Sequence, residues 1–546
     1  MVKILQISSL EKVFLDDNIE KFEETKKVIA LKGEKVSYQL LYVHDGEEYA
    51  LEADFSLNCD KRLSPKVKKV GNVPVAMPVF KKSNDEFYLR KTPGLYPDIL
   101  YPLGEDKVDI VEENCHSLFI TLDIPQDIEG GIYELEAVFK VNDEEYKKVF
   151  EIEVLNACLP QQELVFTQWF HADCISSYYG YEIFSQKHWE MIENFIKKAT
   201  EYGINMILTP VFTLPLDTEV GGERPTFQLV DVYGDGGYKF GFDRLKRWIE
   251  ICKRNGVKYF EISHLFSQWG TGCTPKIEAQ TPEGKKNIFG WHKKALSEEY
   301  KEFLKAFLPE LVSFLKAEGV YENTYFHVSD EPDFEKDFEI YKQERAMLDG
   351  MVPEEKIMDA ISHYEFYEHG LVKRPVVITK SVEKFLENNV KDLWAYYCCG
   401  PATDGYSNRF VSMPSYRNRI IGFQLYKYDV KGFLHWGYNF YYKRLSKGGV
   451  NPFMSADAGE GFPAGDAFSV YPGENGAIES IRIVIFNEGL QDLRACKLLE
   501  SHIGRQAVLD LIEKDGEITF NQYPKNDAGL MAIRQRINEK LKSVLK

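Results

Sequence analysis

Short apolar segments alternate with helical segments over residues 160–440, and this alternation restricts the fold more than any other feature of the sequence. A strand, a helix and the next strand pair in parallel through a right-handed crossover. Eight such units close into a (β/α)₈ barrel. We predict this barrel and keep an open doubly wound sheet as the alternative. The predicted strands are 164–170, 204–209, 258–263, 324–329, 356–361, 375–379, 393–398 and 432–437.

Residues 1–160 follow a different pattern, which is typical of antiparallel strands. Val36, Tyr38 and Leu40 alternate with other residues at period two, and turn residues separate the later apolar segments. Short strands at this spacing predict a β-sandwich. We therefore expect two domains: a β-sandwich at 1–160, and a catalytic barrel with extra C-terminal helices at 161–546.

The charge of the chain limits its partners. Asp and Glu number 85 against 67 Lys and Arg, and the formal net charge is −18. Such a charge repels phosphate backbones and anionic membranes, so we expect no nucleic-acid partner. No run approaches the length of about 18 apolar residues that spans a bilayer, and the N-terminus does not read as a secretory leader. We expect no membrane insertion and a cytoplasmic location.

The nine cysteines are mostly isolated, and the sequence contains no CxxC pair. The adjacent residues Cys398 and Cys399 suit neither a zinc site nor a disulfide framework, which predicts a reducing compartment. His171 and Asp173 lack a second histidine at metal-ligand spacing. The glycine motifs of phosphate and dinucleotide sites are also missing. We expect no metal and no cofactor.

Polar and aromatic side chains are concentrated at the carboxyl ends of the predicted strands, where barrel enzymes place their active residues. From Trp394 to Tyr442, 15 of 49 residues are aromatic, against 14% in the whole chain. Aromatic rings pack on the C–H faces of sugars while amides and carboxylates meet the hydroxyl groups, although such rings also suit a barrel core. The predicted binding residues are Trp169, His171, His264, Gln268, Trp269, Trp394, Tyr396, Tyr397, Trp436 and Asn439.

The fourth predicted strand ends in two consecutive carboxylates, Asp330 and Glu331. Neighbouring Cα atoms lie only about 3.8 Å apart, whereas the two carboxylates of a glycosidase usually flank the scissile bond about 5–9.5 Å apart. Both side chains can reach one side of a sugar, but they cannot easily straddle its ring. The nucleophile must then be a remote carboxylate, such as Glu261 or Glu223, or a group of the substrate.

A 2-acetamido sugar carries such a nucleophile in its amide carbonyl oxygen, which can close an oxazolinium ring. This chemistry needs one carboxylate near the amide N–H and a second near the glycosidic oxygen. Two close carboxylates also disfavour joint ionisation, which keeps a proton available for the leaving group. We predict that Asp330 polarises the amide and that Glu331 is the general acid/base.

Several segments of the chain together resemble glycoside hydrolase family 123. They are the D-E-P strand end at 330–332, L-W-A-Y-Y-C-C-G-P at 393–401 with N-R-F at 408–410, G-F-L-H-W-G-Y-N-F-Y at 432–441 and G-D-A-F-S-V-Y-P-G at 465–473. The similarity extends over about 160–510. The family layout, a sandwich before a barrel, also matches the β pattern of 1–160.

This resemblance implies a β-N-acetylgalactosaminidase that releases terminal β-linked N-acetylgalactosamine (GalNAc) with retention of configuration by substrate assistance. It also implies glycan substrates such as the oligosaccharides of globo- and ganglio-series glycosphingolipids. Asp330 and Glu331 align with the polarising aspartate and the acid/base glutamate of the family.

Two other functions stay open on the residues alone. One is a glycosidase that acts on a sugar without an acetamido group and uses a remote carboxylate. The other is a carbohydrate-binding protein without catalytic activity, since carboxylates and aromatic rings also suit binding.

Overall fold

The computed structural model describes residues 1–81, 83–234, 236–270 and 272–545. The chain divides into two compact units, each built from more than one segment. The first unit contains Met1–Gln162, Ala402–Tyr428 and Ile478–Lys546, and the second contains Glu163–Pro401 and Asp429–Ala477.

The N-terminal part of the first unit is a sandwich of two five-stranded sheets, as predicted. The sheet orders are β1-β3-β8-β5-β6 and β2-β10-β9-β4-β7. Side chains of both sheets share one core, in which the rings of Tyr38 and Phe150 stack 3.9 Å apart. The strands are β1 (Val2–Ser8), β2 (Lys27–Lys32), β3 (Lys35–His44), β4 (Ala50–Asn58), β5 (Lys66–Val75), β6 (Gly94–Pro102), β7 (Lys107–Val111), β8 (His116–Asp123), β9 (Gly131–Val141) and β10 (Glu144–Cys158).

Eight parallel strands of the second unit form a nearly closed barrel, in the order β18-β15-β12-β11-β22-β21-β20-β19. A parallel bridge between Phe326 and Ile357 joins the two end strands. The strands that follow the sandwich are β11 (Val165–Gln168), β12 (Met206–Thr209), β13 (Asp231–Gly234), β14 (Tyr238–Gly241), β15 (Tyr259–Ile262), β16 (Ile277–Thr281), β17 (Gly284–Phe289), β18 (Thr324–Phe326), β19 (Met358–Ile361), β20 (Arg374–Ile378), β21 (Trp394–Tyr396), β22 (Gly432–His435), β23 (Val470–Gly473) and β24 (Gly476–Glu479).

The eight barrel strands coincide with the eight predicted ones, so the barrel prediction is confirmed and the open sheet is wrong. Most of their residues are buried, because a parallel barrel is covered on both faces. The remaining strands lie outside the barrel sheet. They form a four-stranded sheet in the order β14-β13-β16-β17 and the hairpin β23-β24.

Serine caps begin three long helices, α2 (Gln186–Glu201), α4 (Glu298–Ala317) and α10 (Ile481–Ile503). The hydroxyls of Ser185, Ser297 and Ser480 accept hydrogen bonds from backbone N–H groups in the first turn. Within the described ranges, no helix combines the length and the apolar character that crossing a bilayer requires. The helices are α1 (Ala172–Tyr179), α2 (Gln186–Glu201), α3 (Asp243–Arg254), α4 (Glu298–Ala317), α5 (Phe334–Ala346), α6 (Glu365–Glu368), α7 (Glu383–Glu387), α8 (Tyr416–Arg419), α9 (Ile421–Lys427), α10 (Ile481–Ile503), α11 (Arg505–Ile512) and α12 (Asp527–Val544).

Helices α8 to α12 group with the sandwich, whereas the sequence prediction placed them with the barrel. Buried ion pairs explain this grouping. The Arg482 guanidinium of α10 donates two hydrogen bonds to Asp98 of β6, at 2.8 and 2.9 Å. The Arg534 guanidinium of α12 likewise donates to both carboxylate oxygens of Glu34, at 2.7 and 2.8 Å.

Replacing one partner of the Asp98–Arg482 pair tests this grouping. Asp98→Asn removes the carboxylate charge from this buried ion pair, so we expect the free energy of unfolding to fall by about 3–5 kcal/mol. Calorimetric and urea-induced unfolding measure the change. The matched control is Asp60→Asn, which breaks the exposed pair with Arg62 and should cost less than about 1 kcal/mol. Equal effects of the two substitutions would contradict the assignment.

Candidate active site

A pocket of about 260 Å³ opens among residues at and beyond the carboxyl ends of the barrel strands. This is the end of a (β/α)₈ barrel at which active sites form. Its wall is formed by Trp169, His171, Leu216, Asp217, Trp269, Asp330, Glu331, Ala360, Tyr396, Cys398, Cys399, Leu434, Trp436, Arg444 and Phe462.

Seven of the twelve predicted site residues line this pocket: Trp169, His171, Trp269, Asp330, Glu331, Tyr396 and Trp436. Five lie outside its wall: His264, Gln268, Trp394, Tyr397 and Asn439.

The backbone turns both carboxylates of the acidic pair into the same pocket. Side chains of consecutive residues in a strand point to opposite faces. Here β18 ends at Phe326, and Glu331 has a left-handed backbone with φ of 43°. A non-glycine residue in this region is strained, and such strain is found at functional sites. Asp330 is buried and Glu331 is half-buried, and both side chains line the pocket.

The surroundings of the two carboxylates favour a shared proton. Burial and the neighbouring Glu331 raise the pKa of Asp330 well above its usual value, while the charge of His327 lowers it. Burial also raises the pKa of Glu331, against opposing effects of Tyr396 and Lys380. The Tyr396 hydroxyl donates a hydrogen bond of 2.5 Å to Oε1 of Glu331. The raised pKa values favour a protonated form of the pair, which a general acid requires.

A buried histidine beneath the pocket links three strands. His327 Nε2 donates to Glu261 at 2.6 Å, and its Nδ1 donates to Asp359 at 3.0 Å. Burial disfavours the charged imidazole, but the hydrogen bonds to Asp359 and Glu261 outweigh it and raise the pKa of His327 to about 10. The imidazolium therefore places a positive charge close to Asp330, which favours ionisation of that carboxyl.

Glu261, one of the two remote carboxylates considered above, is fully occupied by this network. It accepts hydrogen bonds from the indole of Trp169 at 2.6 Å and the hydroxyl of Thr167 at 2.9 Å, besides that from His327. Glu223, the other one, lines a separate cavity and pairs with Lys276 at 2.9 Å. Neither carboxylate forms part of the pocket wall.

A second buried network fixes His171 as a neutral imidazole. Arg224 donates to both oxygens of Asp173, at 2.8 and 2.9 Å, and to His171 Nδ1 at 3.1 Å. Nε2 of His171 then donates to the Trp436 carbonyl at 3.1 Å. Burial and the Arg224 charge lower the pKa of His171 to about 3. The amide of Asn439 holds the backbone of His171 through bonds of 2.8 and 3.1 Å.

Trp269 and Trp436 are the aromatic walls that can face a sugar. Trp269 has 41% of its surface exposed, adopts a left-handed φ of 52° and donates its backbone N–H to the Asp330 carbonyl at 2.9 Å. The indole of Trp436 donates to Asp466 at 2.9 Å and packs edge-on against Phe462, with ring centroids 5.0 Å apart. The backbone of Trp269 is thereby fixed next to Asp330, and the indole of Trp436 is held by its own contacts.

Two of the segments that carry the family resemblance support Trp436 together. Segment 432–441 lies against segment 465–473 through backbone hydrogen bonds such as Ser469 N–H to the Tyr438 carbonyl at 3.0 Å. A Cβ at Gly437 would lie 2.4 Å from the Asp466 carbonyl oxygen. The contact therefore requires glycine at position 437.

The predicted aromatic residues outside the pocket have structural positions in the barrel. Trp394 begins β21 and pairs in register with Gly432, where a Cβ would lie 2.1 Å from the indole ring. This ring therefore fills the barrel interior. Tyr397 is the next residue after Tyr396, and its ring packs instead on Phe433, with centroids 5.0 Å apart. The two tyrosines therefore contact different neighbours, Glu331 and Phe433.

His264 and Gln268 lie behind the pocket wall. The ring of His264 stacks on His327 with centroids 4.3 Å apart, and burial lowers the pKa of His264 well below its usual value. The side-chain amide of Gln268 donates to the Thr218 carbonyl at 2.7 Å.

The pocket also contains residues that the sequence prediction did not include: Leu216, Asp217, Ala360, Cys398, Cys399, Leu434, Arg444 and Phe462. Asp217 is the most important, because it is a third carboxyl group. It accepts the Leu445 N–H at 2.9 Å, and burial raises the pKa of Asp217 to about 6. Asp217 has a left-handed φ of 40° in a loop after β12. The sequence prediction considered only residues at strand ends, and Asp217 lies too far into the loop to be found in that way.

Two buried clusters bring potential metal ligands within 4.8 Å of one another: His171, Asp173 and Cys174, and His264, His327 and Asp359. In the first, the Arg224 guanidinium already occupies both oxygens of Asp173 and Nδ1 of His171. In the second, both ring nitrogens of His327 are hydrogen-bonded to carboxylates. A metal ligand needs a ring nitrogen without a proton, so these hydrogen bonds compete with metal binding.

Comparison with known proteins agrees with this description. Residues 169–499, more than half of the chain, match the glycoside hydrolase 123 catalytic domain. A family 123 glycoside hydrolase from Clostridium perfringens, studied for glycolipid glycan hydrolysis, has a similar structure with a TM-score of 0.76. The two share 14% identity, and the match covers 100% of this chain and 98% of that chain.

Other solved structures give weaker matches. An endo-β-1,4-mannanase from Thermotoga petrophila has a TM-score of 0.33 and 14% identity, with coverage of 62% of this chain and 78% of that chain. A similarity of this size carries no argument about function. No curated protein sequence matches the chain significantly.

The pocket places two neighbouring acids beside aromatic walls at the carboxyl end of a barrel, which suits the binding of a sugar. The chain belongs to glycoside hydrolase family 123 and is therefore a glycosidase. This membership sets aside the reading as a carbohydrate-binding protein without catalytic activity.

The opposite charge states of His327 and His171 can be measured directly. We expect ¹⁵N spectra of labelled histidines to show His327 protonated on both nitrogens from about pH 5 to about pH 8, and His171 neutral over the same range. The contribution of His327 to stability is complete below its unfolded pKa of about 6.5 and is lost as the pH rises through about 10. His327→Gln and His171→Gln assign the signals. A His327 ring that titrates near pH 6.5 would refute the network.

Proposed function

We propose that this protein is a retaining exo-glycosidase that releases terminal β-linked GalNAc from glycans, such as the oligosaccharides of glycosphingolipids. The observation that carries the proposal is the position of Asp330 and Glu331, which are neighbours in sequence and both line one pocket. The Clostridium perfringens relative acts on glycolipid glycans, which supports this substrate class.

In the proposed reaction, the acetamido carbonyl oxygen of the substrate attacks the anomeric carbon and forms an oxazolinium ring. Asp330 accepts a hydrogen bond from the amide N–H and stabilises the positive charge that develops on the amide. Glu331 donates a proton to the glycosidic oxygen, and the aglycone leaves. Glu331 then removes a proton from the water that opens the ring, so the configuration is retained.

The charges around the pair act in opposite directions. The His327 imidazolium favours an ionised Asp330, as the polarising role requires, although burial and Glu331 raise the pKa of that carboxyl overall. Glu331 is half-buried on the pocket wall, and burial raises the pKa of Glu331, which the acid role requires.

Asp217 is the residue on which the alternative chemistry depends. As a third carboxyl group on the pocket wall, it is the candidate nucleophile for a sugar without an acetamido group. Its raised pKa of about 6 leaves only part of it ionised under mildly acidic conditions. In the proposed reaction it has no nucleophilic role.

We propose a reducing, cytoplasmic environment, because the nine cysteines are mostly isolated in the sequence and form no CxxC pair.

Four aryl β-glycosides test the proposed specificity: those of GalNAc, N-acetylglucosamine, galactose and glucose. We expect hydrolysis of the GalNAc glycoside and strong inhibition by GalNAc-thiazoline, because only acetamido sugars carry the internal nucleophile. Asp330→Asn should abolish this activity and Asp217→Asn should retain it. Faster hydrolysis of the galactoside, together with loss of activity in Asp217→Asn, would favour the remote carboxylate instead.

The acid role of Glu331 predicts a dependence on the leaving group. Glu331→Gln should lower kcat on GalNAc glycosides of poor leaving groups by about 10²–10⁴-fold and affect activated aryl glycosides much less, because these need little proton donation. Steady-state kinetics over a series of phenols of different acidity measures this. Tyr397→Phe, which changes a neighbouring tyrosine outside the pocket, is the control. Equal losses on all leaving groups would exclude the acid role.

A further inference from the structure

Cys398 and Cys399 form a pair of thiols on the wall of the catalytic pocket. They follow β21, two and three residues after Tyr396, and both line the pocket that contains Glu331. The structure holds both residues as thiols. The glycosidase chemistry proposed above uses neither of them.

The chain bends at residues 398–400, soon after β21. The alternation of side chains along a strand therefore does not apply to Cys398 and Cys399. The thiol of Cys398 interacts with the thiol of Cys399, and the Gly400 N–H donates to Cys398 Sγ at 3.4 Å.

A bond between the two sulfurs does not suit this geometry. Disulfides usually join Cα atoms 4.4–6.8 Å apart, whereas neighbouring Cα atoms are about 3.8 Å apart, and the S–S bond is only about 2.05 Å long. A single atom bound to both sulfurs allows a wider spacing between them. The pair therefore suits a thiophilic atom that takes two sulfur ligands and bridges them.

The remaining walls of the pocket favour an aromatic substituent on that atom. Trp269, Trp436 and Phe462 line the same cavity, and an aryl group buries its apolar surface among such rings. The Cys399 thiol, burial and Glu331 raise the pKa of Cys398, so this cysteine is a neutral thiol at neutral pH. A neutral thiol reacts slowly with alkylating agents, which need a thiolate. A neutral thiol can still give its proton to an oxygen atom bound to the thiophilic atom, and this oxygen then leaves as water.

We propose that Cys398 and Cys399 are a binding site for aryl-substituted trivalent arsenicals, which bridge the two sulfurs and close the catalytic pocket. In this step two S–H bonds and the arsenic–oxygen bonds break, two As–S bonds form, and the two protons leave with the oxygen as water. Arsenic stays trivalent, and no oxidant or reductant takes part. The binding is independent of the proposed GalNAc specificity, whereas its effect on catalysis rests on that function.

Phenylarsine oxide tests the site on the full-length protein. We expect one equivalent to add to the wild type, the adduct to map to a peptide that contains 398–399, and a dithiol to reverse it while a monothiol does not. Cys398→Ser and Cys399→Ser should each lose this adduct. Cys158→Ser, which removes an exposed single cysteine, should keep it. Circular dichroism checks that each variant is folded. An adduct that maps elsewhere, or persists in both pocket variants, would overturn the proposal.

Hydrolysis of aryl β-GalNAc, measured relative to each protein's own untreated rate, gives a second readout. The wild type should lose activity in proportion to the fraction modified, and GalNAc-thiazoline should slow the modification. An adduct at 398–399 without any hydrolysis of aryl β-GalNAc would refute the proposed function and leave the thiol site intact. Unchanged hydrolysis by fully modified protein would refute the closure of the pocket.

Discussion

The catalytic pocket depends on one buried cation, the imidazolium of His327. Glu261 on β15 and Asp359 on β19 hold it from two sides, and His327 itself follows β18. The bond to Asp359 crosses from β18 to β19, the two end strands of the barrel sheet, which the bridge at Phe326 also joins. The same ion pairs therefore connect the two end strands of the barrel sheet and place a positive charge near Asp330 and Glu331. Without that charge, several carboxyl groups would lie close together in a medium of low dielectric, which is strongly unfavourable.

The periodicity of the sequence was sufficient to predict the barrel. Each predicted strand overlaps an observed one, because parallel barrel strands are short, apolar and separated by helices or loops of adequate length. The paired carboxylates and several strand-end aromatic residues were also predictable, since strand ends define one rim of the barrel. Trp394 shows the limit of this reasoning. We predicted Trp394 as a binding residue at the carboxyl end of its strand. In the structure it is the first residue of β21, and its ring fills the space above Gly432.

Residues that reach the pocket from long loops had no periodic signal. Asp217 and Arg444 belong to such loops, and only tertiary contacts bring them to the same cavity. The neutral state of His171 likewise depends on Arg224, which is distant in sequence. The grouping of the C-terminal helices with the sandwich also depends on contacts between residues that are distant in sequence. It rests on charge pairs such as Glu34 with Arg534, which are 500 residues apart, and no local pattern encodes a pairing of that range.

The discontinuous first unit has a consequence for synthesis on the ribosome. Its sandwich strands emerge first, but α10 and α12, which supply the counter-charges of Asp98 and Glu34, emerge only after the whole barrel. At translation rates of about 5–20 residues per second, the delay is on the order of tens of seconds. During this time the nascent sandwich carries carboxylates whose arginine partners do not yet exist. The N-terminal region therefore completes its native structure last, although it is made first.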